Sequence, residues 1–243
     1  GHDPKILDKI WSDWEKFASY AFNKSHATCY SWVAYQTAFM KATFPAQYMA
    51  AVMSRSLANI TEIRKLMDEC KLQGIKTLGP DINESRLKFA VNKQGDIRFG
   101  MGGIKGVGEN GILALIEERD KNGEYKNVFD FFERINLTAC NRKSIEGLII
   151  SGAFDCFKDI PREAYFAPTG GKGNEVFLDV LVRYGQKYQL DKQKTATSLF
   201  GAMDFGSEVV HPAFPKVYKE WGTLERLNKE RELVGIYLSA HPL

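Results

Sequence analysis

A stretch near the middle of the chain has the residue types and spacing of a phosphate-binding turn. Residues 106–111 read GVGENG, which matches the pattern G-x-G-x-x-G, and the apolar residues Ile112, Leu113, Leu115 and Ile116 follow at helical spacing. Glycines directly before a helix let backbone N–H groups approach a phosphate at the positive end of the helix dipole. Two chemistries use this arrangement: a pocket for a dinucleotide cofactor, and a grip on the phosphates of a nucleic acid.

The sequence that follows the predicted helix does not favour a dinucleotide pocket. Such a pocket needs a second, parallel strand after the helix, with an acidic residue at its end to hold the ribose. The chain instead reads KNGEY at 121–125 and then returns to a helical pattern. A helix-hairpin-helix motif fits better, with Gly106, Val107 and Gly108 in a positive-φ turn and Lys105 adding one cation. A plain structural turn also fits this stretch.

No other group of residues has the spacing of a catalytic or metal site. Because the cysteines lie far apart and near no histidine, we expect buried free thiols rather than a metal or disulfide site. They are Cys29, Cys70, Cys140 and Cys156. Residues 1–74 contain no cluster of Asp, Glu and His suited to a nuclease. The net charge of +3 is too small to indicate a nucleic-acid-binding protein by itself, so any such contact must depend on local geometry.

The elements before the glycine stretch are predicted to be mainly helical. Ile6–Phe22 has apolar residues at helical spacing and should bury one broad stripe, and Ala27–Thr43 should be mostly buried. A third helix begins at Pro45, and a fourth begins at Asn59 and stops at Gly74. Residues 1–74 are therefore expected to form a helical region.

Shorter elements are predicted over the rest of the chain. Alternation in residues 87–91 and 97–99 indicates a short β-hairpin. Further helices are expected at 109–119, 128–135, 142–151, 174–189 and 224–238. The polar stretch 191–206 is predicted to be a linker that exposes Leu199 and Phe200. The fold class is therefore mainly α, with one short β-hairpin beside the helix-hairpin-helix segment.

Several motifs in combination resemble the C-family replicative DNA polymerases of bacteria. They are FNKSH at 22–26 with YQT at 35–37 and PAQYMAA at 45–51, GPDIN at 79–83, GIKGVGE at 103–109, SGAFD at 151–155, and LVGIYL at 233–238 with HP at 241–242. The similarity covers nearly the whole chain and is specific in combination. It implies that the chain is a fragment of such a polymerase.

The resemblance implies a series of regions along the chain. They are helical fingers at 1–74, a connecting segment with the β-hairpin at 75–101, a tandem helix-hairpin-helix DNA-binding module at 102–157, a helix and linker at 158–206, and an amphipathic helix at 207–243 that leads to an absent oligonucleotide-binding domain. The family's palm, whose aspartates bind the catalytic Mg²⁺ ions, is also absent. No catalytic or metal-binding residue is therefore expected in this chain.

The fingers of this family carry a segment that lies beside the incoming nucleotide, and Lys24, Ser25 and His26 match it. The resemblance implies that these residues bind nucleotide at a break between two helices. A lysine there can pair with phosphate, and a histidine can contact the edge of the sugar.

The predicted linker falls where the family carries a peptide that docks on the sliding clamp. Ser198, Leu199 and Phe200 match that peptide, and an adjacent Leu-Phe pair suits an apolar pocket on a partner. Ala196 stands where such peptides usually have glutamine. Docking of the pair on the protein's own surface is the alternative.

The implied partners are primer-template DNA, the incoming deoxynucleotide, the sliding clamp and other subunits of the replicative holoenzyme. The chain has no apolar run of roughly 18 residues and no signal-like N-terminus, so a cytoplasmic location without a membrane partner is expected. The main alternative function is a non-catalytic or repair-type helix-hairpin-helix module that binds DNA. A nucleotide-cofactor enzyme is the third possibility.

Overall fold

The computed structural model describes residues 2–19, 24–170, 174–197 and 210–240. The chain divides into two units, Gly1–Pro45 and Ala46–Leu243. The segment after Pro45 contributes buried side chains, among them Met53 and Ile63, to the core of the second unit. The predicted fingers region 1–74 therefore includes residues of both units.

The first unit contains two helices, α1 (Pro4–Ser19) and α2 (Lys24–Thr43). Their apolar side chains are exposed, which contradicts the burial expected from their spacing. The exposed residues include Ile6, Leu7, Ile10, Trp11, Trp14 and Phe17 on α1, and Tyr30, Trp32, Val33, Tyr35, Phe39 and Met40 on α2. Periodicity shows which side of a helix is apolar, but it carries no information on what covers that side.

The next two helices are α3 (Pro45–Arg55), which belongs to the second unit from Ala46 onward, and α4 (Ile60–Leu72). Pro45 occupies the first turn of α3, where its missing N–H leaves no bond unmade. Asn59 caps α4, because its Oδ1 accepts the amide N–H of Glu62 at 3.2 Å. Gly74 follows α4 with a φ of +73°, as expected of a glycine that ends a helix.

A small sheet joins these helices to the glycine stretch. Its strands are β1 (Thr77–Leu78), β2 (Ala90–Val91) and β3 (Ile97–Arg98), in the order β1-β3-β2. β2 and β3 form the predicted antiparallel hairpin, with Val91 opposite Ile97. β1 lies parallel to β3 and was not predicted, since two residues are too few to show alternation.

The next three helices along the described chain are α5 (Glu109–Asn122), α6 (Val128–Arg134) and α7 (Arg142–Ile150). Asn127 caps α6 and Asn141 caps α7, both as predicted from the sequence. The core between them is rich in aromatic rings, with Phe131 packed edge-on against both Tyr125 and Phe154. In the described chain α6, and not a strand, follows α5, which removes the parallel strand that a dinucleotide fold requires.

The last two helices are α8 (Phe177–Thr197) and α9 (Thr223–Val234). α8 differs from the prediction at both ends. It begins at Phe177, after the predicted start at Asn174, and it includes residues 191–197, which were predicted to be linker. A helix already anchored by packing extends by one hydrogen bond per residue, so its last turns need no apolar side. The Leu199–Phe200 pair lies outside the described residues.

The described residues thus form a mainly α fold with one small sheet, as predicted. Two short 3₁₀ turns, Met101–Gly103 and Arg162–Phe166, complete the second unit. Cys70 and Cys140 are buried as expected, whereas Cys29 is exposed. Within the described ranges, no helix has the length and apolarity to cross a membrane, and no group of His, Cys, Asp or Glu side chains is arranged to hold a metal ion.

Candidate nucleic-acid interface

The glycine stretch forms a tight turn, here called hairpin 1 (residues 104–108), between the 3₁₀ turn Met101–Gly103 and α5. Gly106 has a φ of +79°, which favours glycine over any residue with a Cβ. Gly108 has a φ of −72° and a ψ of 139°, so its backbone is ordinary. The expected positive-φ turn is therefore present, but one of the two glycines accounts for it.

Hairpin 1 leaves backbone N–H groups without an acceptor among the described residues. Gly108 is the N-cap of α5 and has no side chain to accept them. Its carbonyl accepts from Gly111 and Ile112 at 3.0 and 3.2 Å. Within the part of the chain that the structure describes, no hydrogen bond is made by the amides of Gly106, Glu109 and Asn110. These donors lie at the positive end of the α5 dipole, which is the arrangement that binds a phosphate.

Two lysines lie beside these amides. Lys105 belongs to hairpin 1 and is exposed. Lys143, also exposed, reaches the same turn from the first turn of α7, since a Cβ placed on Gly106 would lie 3.8 Å from its Cε. Sequence reasoning missed Lys143, because only the fold brings it near Gly106. The exposed carboxylate of Glu109, at the start of α5, partly offsets the positive charge of these two lysines.

A second turn, here called hairpin 2 (residues 135–141), joins α6 to α7 in the corresponding place. Asparagine groups accept several of the amides in and after this turn. Asn136 Oδ1 accepts from the amides of Thr138 and Ala139 at 3.0 and 3.1 Å, and Asn136 O accepts from Cys140 at 2.8 Å. Asn141 Oδ1 accepts from the amide of Ser144 at 3.0 Å. Among the described residues, the first two amides of α7, those of Arg142 and Lys143, make no hydrogen bond, as is also true of Glu109 and Asn110 in α5. The two hairpins therefore differ in the asparagine acceptors of hairpin 2 and not in the number of free donors.

Each hairpin packs against a glycine on the helix that follows the other. A Cβ on Gly111 of α5 would lie 2.9 Å from the Ala139 carbonyl oxygen in hairpin 2. A Cβ on Gly147 of α7 would lie 3.0 Å from a methyl carbon of Val107 in hairpin 1. A side chain at Gly111 would require a shift of the hairpin 2 backbone, and one at Gly147 would require the Val107 side chain to move. The glycines therefore allow the two halves of the module to interlock.

The GPDIN and SGAFD motifs contact each other and support the module. The amide of Ile82 donates to the Ala153 carbonyl at 2.9 Å, and Asn83 exchanges hydrogen bonds with the backbone of Tyr125. Burial raises the pKa of Asp81, although the hydrogen bond from the Asn83 amide works in the opposite direction. These contacts account for both motifs through packing and backbone hydrogen bonds.

The predicted nucleotide-binding residues belong to the first unit. Lys24, Ser25 and His26 are exposed in the first turn of α2, rather than in a break between helices. The ring of His26 lies 5.5 Å from that of Tyr30, one turn further along the same helix. The predicted clamp-binding residues Ser198, Leu199 and Phe200 are outside the described part of the chain.

Comparison with known proteins supports the module and the resemblance. The family described as a helix-hairpin-helix motif matches residues 74–164. The chain is 40% identical over 243 residues to DNA polymerase III subunit alpha of Haemophilus influenzae, 38% identical over 243 residues to that of Escherichia coli K12, and 39% identical over 248 residues to that of Chlamydia pneumoniae.

These matches cover the whole of this chain and about a fifth of each relative. The chain is therefore similar along its full length to a segment of DNA polymerase III subunit alpha, which confirms the resemblance found in the motifs. It contains a helix-hairpin-helix motif within that segment.

Proposed function

We propose that the chain is a segment of a bacterial replicative DNA polymerase and that it holds duplex DNA through the backbone amides of hairpin 1. One observation carries the proposal: the amides of Gly106, Glu109 and Asn110 have no acceptor in the described chain, at a helix start within the matched helix-hairpin-helix segment. Lys105 and Lys143 flank them.

This mode of binding suits the overall charge of the chain. Amides that contact phosphates fix the position of a protein on DNA but do not read the bases. A net charge of +3 provides little long-range attraction, so binding depends on the few groups that converge at hairpin 1. We therefore expect weak duplex binding with little dependence on sequence.

The test compares substitutions at two glycines whose backbone has a positive φ. Gly106→Val forces a side chain into a conformation that disfavours it by roughly 1–2 kcal/mol and distorts hairpin 1. Gly95→Val introduces similar strain at a φ of +89° in the β2–β3 turn, where a Cβ meets nothing within 4 Å. With a fluorescein-labelled duplex, anisotropy titration should show an affinity loss of about tenfold or more for Gly106→Val only. Equal affinity of the two folded variants would reject the proposal.

The polymerase activity of the parent protein is part of the same proposal. Phosphoryl transfer by polymerases depends on metal ions held by carboxylates, and we propose that these carboxylates belong to a palm outside this chain. Mg²⁺ is therefore assigned to the parent protein and not to these residues. Primer extension by the purified chain with Mg²⁺ would contradict this assignment.

For Lys24, Ser25 and His26 we propose contact with the incoming deoxynucleotide in the full-length enzyme. Their exposure at the start of α2 leaves the lysine and imidazole accessible to a ligand. In full-length enzyme, His26→Ala should change the discrimination between deoxy- and ribonucleotides more than it changes DNA affinity. Steady-state kinetics with both substrates would measure this, and unchanged selectivity would reject the role.

For Ser198, Leu199 and Phe200 we propose contact with the sliding clamp, with other holoenzyme subunits as further partners of the parent protein. Because Ala196 lacks the amide group of the usual glutamine, we expect affinity in the micromolar range or weaker, about −8 kcal/mol or less favourable. Calorimetry should show weaker binding by Leu199→Ala/Phe200→Ala. Equal binding by both chains would assign the contact elsewhere.

A further inference from the structure

The last turn of α9 contacts the backbone of hairpin 1. The amide of Lys105 donates to the carbonyl oxygen of Leu233 at 2.9 Å. Leu233 precedes the last residue of α9, and Gly235 then ends the helix in the left-handed conformation, with a φ of +86°. A Cβ on Gly235 would lie 2.7 Å from Ile60 Cγ1, so this end of α9 lies tightly against α4. The position of Leu233 therefore influences the residue that precedes Gly106.

A fully buried carboxylate holds that turn of α9. Glu230 has no exposed surface, and its carboxylate accepts from the amides of Leu238 and Ser239 and from the Ser239 hydroxyl. The chain after α9 thus folds back over Glu230. Glu230 also accepts from Arg162 Nη1 at 3.2 Å. A buried carboxylate with this set of donors fixes its helix, because moving away from them would leave its charge poorly compensated away from water.

Arg162 connects this carboxylate to α7. Its guanidinium is nearly fully buried and donates to the Asp155 carboxylate and, at 3.1 Å, to the carbonyl of Ile150, the last residue of α7. Burial disfavours its charge, but the hydrogen bonds and charges of Asp155 and Glu230 raise the pKa of Arg162 overall. α7 and α9 are therefore joined by a charged group that stays ionised.

We propose that Glu230 is a positioning residue for the DNA-binding hairpin. It holds the last turn of α9 so that the Leu233 carbonyl keeps the Lys105 amide, and with it the turn at Gly106, in one conformation before DNA arrives. This inference rests on the proposed function of hairpin 1. A hairpin released from Leu233 samples other conformations, and ordering it again on DNA weakens binding.

The test uses two Glu→Gln variants on α9 in the 243-residue chain. Glu230→Gln removes the buried charge, and Glu225→Gln makes the same change at a partly exposed side chain paired with Lys219 and Lys229. Each substitution removes one negative charge, so the two variants have the same net charge and the same nonspecific attraction to DNA. Amide hydrogen exchange without DNA and anisotropy titration with duplex DNA are measured on each.

In Glu230→Gln we expect the Lys105 amide to exchange at least tenfold faster, relative to the amide of Phe132 in the α6 core, and DNA affinity to fall about three- to tenfold. Glu225→Gln should change neither quantity. Wild-type exchange of Lys105 in folded Glu230→Gln would overturn the proposal. If Glu230→Gln does not fold, Ser239→Ala removes one donor at an exposed residue and must show the same changes at smaller size, or the proposal fails.

The two proposals fail in different ways. Wild-type affinity in Gly106→Val would reject DNA binding by hairpin 1, whereas the exchange rate of Lys105 is measured without DNA. Loss of affinity in Gly106→Val, with wild-type exchange and affinity in Glu230→Gln, would overturn the positioning role alone.

Discussion

Hairpin 1 and hairpin 2 occupy corresponding places in the module, yet only hairpin 2 uses asparagine side chains to accept backbone amides. In hairpin 2, Asn136 and Asn141 accept amide hydrogen bonds within the turn. In hairpin 1, Gly106 and Gly108 have no side chain that could accept a hydrogen bond. The amides of Glu109 and Asn110 at the start of α5 have no acceptor among the described residues.

The difference separates stability from ligand binding. Unsatisfied donors at a helix start contribute nothing to folding, but they remain available to an anion. Donors bonded to asparagine stabilise the turn and compete with any external acceptor. On the proposed function, the asparagines of hairpin 2 stabilise the module, and hairpin 1, where Gly108 has no side-chain acceptor, contacts DNA.

The largest expected effect is on the stability provided by hairpin 2. Asn136→Ala removes the acceptor for two amides and should lower the free energy of unfolding by about 1–2 kcal/mol. DNA affinity of the folded variant should stay within about twofold of wild type, because hairpin 1 is untouched. Urea unfolding and anisotropy titration measure the two quantities. A large loss of affinity at full folding would show that hairpin 2 also binds DNA directly.

The next effect concerns the cation of hairpin 1. Lys105→Ala should weaken duplex binding several-fold and reduce the slope of log K against log salt by about 0.9, as expected when one phosphate contact is lost. Lys93→Ala, in the exposed turn between β2 and β3, is the matched control and should leave the slope unchanged. Similar slopes for the two variants would mean that Lys105 acts only through overall charge.

The smallest effect is expected from a substitution that gives hairpin 1 an asparagine acceptor like those of hairpin 2. Gly108→Asn suits the N-cap backbone of α5, and a Cβ there meets nothing within 4 Å. The new side chain should raise the free energy of unfolding by a few tenths of a kcal/mol while lowering DNA affinity about two- to fivefold, because it occupies amides that phosphate would use. Tighter binding by this more stable variant would contradict the division of roles.

Local rules predicted the elements that carry the candidate site. The glycine pattern indicated a turn before α5, and Asn127 and Asn141 marked the starts of α6 and α7, because capping and turn formation depend on neighbours in sequence. The positive φ predicted for Gly108 was wrong, because a single sequence pattern does not specify which glycine adopts that conformation. Lys143 was missed because its approach to Gly106 depends on how α7 packs in the fold.

The failures away from the site also concern tertiary context. The spacing of Ile10, Trp14 and Phe17 correctly predicted a helix, but their exposure contradicts the inferred burial. Residues 191–197 lack apolar periodicity, yet they extend a helix whose earlier turns are packed. Sequence patterns report local preference and the apolar side of an element, whereas burial depends on what the element meets.

The distribution of tryptophans gives the two units different optical signals. Trp11, Trp14 and Trp32 are 69, 67 and 61% exposed in the first unit, whereas Trp221 of the second unit stacks on Phe166 with ring centroids 5.5 Å apart. Indole emission from this chain will therefore come mainly from solvated rings in the first unit. With excitation selective for tryptophan, a melting curve would report the second unit through Trp221 alone, and a Trp221→Phe variant would remove that signal while near-ultraviolet circular dichroism still followed the packed aromatic rings.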